Sequence, residues 1–111
     1  MEFVVSFLKP PIVERYYMAR VICYDININI KPTEGGYKWE QVHLTEERWD
    51  YGGIIDALVT YKYPNDKMQA VINNYLLEPE NEEYVKAFNE MQSWRKEAKE
   101  IAKQALEYEL H

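Results

Sequence analysis

The chain has 111 residues, 47% of them hydrophobic and 29% charged, so one domain with a single core is expected, and wholesale disorder is not. A formal charge of −6 and a pI near 4.9 argue against non-specific binding to nucleic acid or anionic lipid. The single cysteine, Cys23, excludes an intramolecular disulfide and reads as a buried free thiol, which points to a reducing, cytoplasmic setting.

Phe3 to Leu8 reads as a short strand ended by Pro10 and Pro11. It lacks the basic flank and the length of a secretory signal, and no apolar run reaches the length that spans a bilayer. A second methionine, Met18, leaves open a start of the ordered domain near there, with residues 1–17 as a loosely attached arm. Arg15 to Ile30 is the best candidate for one long strand. Ile22, Tyr24, Ile26, Ile28 and Ile30 alternate with Cys23, Asp25, Asn27 and Asn29, which is the period of a half-buried strand. Lys31 to Gly36 supplies turn chemistry, and Tyr37 to Leu44 returns as a second strand.

Helical spacing follows. Asp50 is placed to cap a helix carrying Tyr51, Ile54, Ile55, Leu58 and Val59 up to about Lys62. Pro64 to Asp66 punctuates, and Met68, Val71, Ile72, Tyr75 and Leu76 mark a second helix ending at Glu78-Pro79. Asn81 can cap a third, long helix over 81–109. Its seam of Tyr84, Ala87, Met91, Trp94, Ala98, Ile101, Ala105 and Tyr108 repeats every three or four residues. The expected fold is α+β: an N-terminal antiparallel β-hairpin of two to three strands (18–45), two helices (50–77), and the long C-terminal helix.

Catalytic signals are sparse. His43, Glu46 and Asp50 are the tightest group of ligand-type residues and could serve a metal-dependent enzyme or regulator, though they match no established metal spacing. Their structural reading is a strand-end histidine, an acidic turn and a helix cap. Ser6 and Ser93 lie in no nucleophile elbow, there is no phosphate-binding glycine loop, and no cofactor is implied. Asp56 is expected to face solvent. Arg95, Lys96, Lys99 and Lys103 line one face of the long helix, either as a site for an anionic partner or as its solvated back.

The seam poses the sharper choice. Two helices of ten to fifteen residues are too short to cover a helix of nearly ~40 Å at ~1.5 Å per residue. The far end, around Ile101, Ala105 and Tyr108, therefore calls for a partner. Met91, Trp94, Ile101 and Tyr108 on the helix, with Tyr37 and Trp39 on the hairpin, are the contact candidates for a second copy or another protein.

The stretches Trp49 to Asp56, Ala70 to Leu76 and Met91 to Arg95, in this order, resemble small proteins encoded by phages and prophages near tail-fibre genes. The aromatic-arginine helix is also similar to the ends of tail-fibre assembly chaperones. The resemblance covers residues 18–106 and implies an accessory role in assembling or capping a larger protein. It implies no active-site residues. The expectation is a cytoplasmic, self-associating, non-enzymatic interaction module.

Overall fold

A computed structural model describes residues 4–109. The fold is α+β, with four antiparallel strands and three helices. The strands are β1 (Val4–Ser6), β2 (Val13–Met18), β3 (Val21–Thr33) and β4 (Gly36–Thr45). A single 3-10 turn, Glu46–Arg48, leads to α1 (Tyr51–Lys62), α2 (Asn65–Leu77) and α3 (Glu82–Glu109). Sheet order is β1-β4-β3-β2.

The sheet has more strands than the expected hairpin, for an identifiable reason. The run expected to form one strand from Arg15 to Ile30 folds back on itself at Ala19-Arg20, so that Tyr16 pairs with Cys23 and Met18 with Val21. Ala19 and Arg20 both take positive φ, 51° and 67°. That is the backbone of a two-residue hairpin turn, normally written with Asn and Gly. Residues 13–17, for which a loosely attached arm was left open, are part of a ladder-bonded strand with Val13 4% exposed. The strand expected over Phe3 to Leu8 is β1, pairing Val4 with Trp39 and Ser6 with Tyr37; Phe3 itself lies outside the described residues.

Because β1 and β2 are the two edges, the segment joining them crosses the sheet. Asn27 records the crossing: its backbone N–H donates to Ile12 O at 2.9 Å, and its side-chain amide to Pro11 O at 2.8 Å. Gly36 is where β1 approaches most closely. Its φ is +154°, and a Cβ there would lie 2.1 Å from the Ser6 carbonyl oxygen. Only glycine admits β1 at this position.

Alternation gives the sheet two faces. Val13, Tyr24, Ile26, Ile28, Val42 and Leu44 form the buried apolar face, and Asp25, Asn27, Gln41 and His43 lie on the other. Against the apolar face pack Ile54, Leu58, Met91, Trp94, Ala98 and Ala102, all buried. Full burial of each large apolar side chain contributes about 1.5–3 kcal/mol.

The seam in the far half of α3 is covered as far as Ala105. Ala102 and Ala105 are fully buried, and Ala105 packs with Val13 and Tyr24 of the sheet. The expected overhang assumed that helices alone would cover the seam. Instead the sheet receives its second half, and small alanines permit the close approach. Caps fall where anticipated: Asp50 Oδ1 accepts from Gly53 N–H at 2.6 Å, and Asn81 Oδ1 from Glu83 N–H at 3.0 Å. Helix α2 has no buried residue and is held on α3 by Val71, Ile72 and the stacked rings of Tyr75 and Phe88, 4.3 Å apart.

Candidate functional site

Three of the six contact candidates are core residues. Met91 is 0% exposed, Trp94 3% and Trp39 4%, which removes them from any contact made by the folded chain. The Trp94 indole N–H is already committed to Leu58 O at 2.9 Å. Ile101 and Tyr37 are half-buried, Ile101 against the core; Tyr108 is 46% exposed. Arg95, Lys96, Lys99 and Lys103 all lie on the exposed back of α3, where Arg95 bonds Gln92 and Lys103 lies 3.9 Å from Glu100.

The three metal candidates do not converge among the described residues. His43 Nδ1 pairs with Asp25, Asp50 is spent capping α1, and Glu46 is exposed. Among the described residues no group of three or more His, Cys, Asp or Glu is placed to hold a metal ion. Cys23 is half-buried where full burial was expected, with its thiol 3.8 Å from Val21 O. Asp56 faces solvent as expected, paired with Arg48 at 2.6 Å. No helix among the described residues is long and apolar enough to cross a membrane.

The polar face of the sheet carries a hydrogen-bonded network in two separate parts. Tyr16 donates to Asp25 Oδ1 at 3.0 Å, and the same oxygen meets His43. Gln41 donates to Asn27 Oδ1 at 3.0 Å, and Asn27 in turn to Glu14 Oε1 at 3.1 Å. Desolvation, reinforced by the bond to Asp25, raises the Tyr16 pKa to about 12. Such a network buries Asp25 and Asn27 without leaving them unsatisfied.

Among the open places of the described residues, two are candidates. The first is the outer edge of β2 and the turn that follows it. Ile12 and Asn27 form a hydrogen-bonded pair, so by alternation the backbone groups of Val13 and Tyr17 point away from β3. Beside that edge Tyr17, Met18 and Val21 are 71%, 62% and 44% exposed.

The second is a cleft of about 400 Å³ between the sheet and the junction of α1 with α2. A bulge between Ile28 and Lys31 builds its sheet wall and holds Asn29 at φ 53°. Glu40, paired with Ile28 and only 8% exposed, is clasped from two sides. Asn29 Nδ2 donates to one carboxylate oxygen at 2.6 Å, and Tyr61 to the other at 2.9 Å. Burial, then the bond to Glu40, raises the Tyr61 pKa to about 12. Lys31, Lys62 and Lys67 line the same cleft. Lys62 Nζ lies 4.9 Å above the Trp94 ring, and Lys67 Nζ is equally far from Tyr63.

Sequence reasoning missed this cleft because its residues come from four separated segments. One signal was present: Glu40 occupies the strand parity of Val42 and Leu44, an acid in an apolar register. No protein-family model matches the chain, and neither does any curated protein or solved structure.

Proposed function

We propose that this chain is a non-catalytic interaction module that pairs with a second copy of itself through the outer edge of β2 at its turn end. The observation that carries the reading is the union of a sheet-edge strand with three exposed apolar side chains, Tyr17, Met18 and Val21, at its end. At the turn end of β2 the outward backbone groups of Tyr17 can meet another strand, and burying those side chains supplies the apolar part of the contact. Antiparallel pairing of two β2 strands would join the sheets into one of eight strands, a closed twofold arrangement. An assembly role near phage tail components is the setting that the sequence resemblance implies for such a module.

Light scattering behind a sizing column, across a dilution series, tests this. A dimer is expected at high concentration. Tyr17→Pro, which removes an outward N–H and no ladder bond, should shift it to monomer with an unchanged far-ultraviolet circular dichroism spectrum. A monomer at every concentration would overturn the reading.

A further inference from the structure

We propose that the cleft beside Glu40 is a binding site for a small polyanionic ligand carrying phosphate or carboxylate groups. The chain holds 19 acidic and 13 basic residues, yet this lining has three lysines and one acid. That acid is already occupied, since Asn29 and Tyr61 each take one of the Glu40 oxygens. None of Lys31, Lys62 and Lys67 has a carboxylate within ion-pair distance among the described residues, and two of them rest on aromatic rings instead. A cation over a ring face keeps its charge and its remaining donors available to an anion.

The surroundings give the site a direction. A neighbouring cleft of about 690 Å³ shares Lys62 and Trp94 and is lined by Glu80, Glu82, Glu90 and Glu97 against Lys86, an acidic excess. The field therefore changes sign across Lys62, which confines an anion to the side of Lys31 and Lys67. The volume of the lysine cleft suits a metabolite-sized molecule. Through its bonds to Asn29 and Tyr61, Glu40 ties the sheet wall of the cleft to α1.

Tryptophan fluorescence reads the site through Trp94. Inorganic pyrophosphate and citrate, titrated separately at constant ionic strength, serve as the phosphate and carboxylate probes. Saturation by either supports the proposal and tells which chemistry is preferred. Lys31→Gln and Lys67→Gln, both at exposed positions, should each weaken the saturating probe about tenfold. The double variant Lys99→Gln with Lys103→Gln, on the back of α3, should leave it unchanged. No saturation by either probe would overturn the proposal, as would an equal loss in the α3 variant.

Discussion

The Trp94 indole donates its N–H to the carbonyl oxygen of Leu58 at 2.9 Å, a buried bond that ties the middle of α3 to the last turns of α1. Leu58 is itself 0% exposed and Trp94 only 3%, so the bond is formed inside the core. Trp94→Ala should cost about 3–5 kcal/mol, much of the ~5–15 kcal/mol that holds a domain together. Urea unfolding should show the loss directly. A variant as stable as the parent would return Trp94 to the surface.

Gly52 and Gly53 make opposite predictions from adjacent positions. Helix propensity alone favours alanine at both by about 1 kcal/mol. A Cβ on Gly52 finds its nearest neighbour at 3.8 Å, so Gly52→Ala should be neutral or stabilising. On Gly53 it would lie 2.1 Å from the Arg48 carbonyl oxygen, in the turn that delivers the chain to α1. Gly53→Ala should therefore destabilise, and paired thermal melts would expose the difference in sign.

The turn at Ala19-Arg20 stores a removable cost. Two non-glycine residues at positive φ are each disfavoured by about 1–2 kcal/mol relative to glycine. Replacing the pair by Asn-Gly should raise stability by about 1 kcal/mol or more, measured as the urea midpoint at unchanged slope.

Ala102 decides how α3 is used. It is 0% exposed within the core cluster, so Ala102→Leu should overpack and destabilise by about 1–3 kcal/mol. Had this end of the helix waited for an external partner, the same change would leave the monomer's stability intact.

Tyr61 supplies a pH dependence. Its ordinary pKa of 10.0 is raised to about 12 in the folded chain, by desolvation and by its bond to Glu40. The unfolded chain loses this proton near pH 10, whereas the folded one keeps it to about 12. The associated stability is complete below pH 10 and is lost as the pH rises through that window. Tyr16 contributes with the same sign. Tyr61→Phe should flatten the stability profile between pH 10 and 12, as read by urea unfolding at each pH.

The three helices, the caps of α1 and α3 and the α+β class were legible in the sequence, because 3.6-residue periodicity and capping chemistry are local properties of the chain. Asp50, Asn81 and the spacing from Met91 to Ala98 needed no knowledge of distant residues. Alternation likewise marked Tyr24, Ile26 and Ile28 as one face of a strand. It could not mark where the strand began, since Tyr16 and Tyr17 continue an extended pattern and Ala19-Arg20 carries no turn signature. That break exists because pairing of Tyr16 with Cys23 and of Val13 with Ile26 compensates a locally unfavourable backbone. Coverage of the long seam was also a tertiary decision: burial depends on which surfaces meet, and the sheet met the alanine end of α3. The cleft at Glu40 had the least local trace, because a bulge, two helix ends and a strand had to converge before its three lysines shared one space.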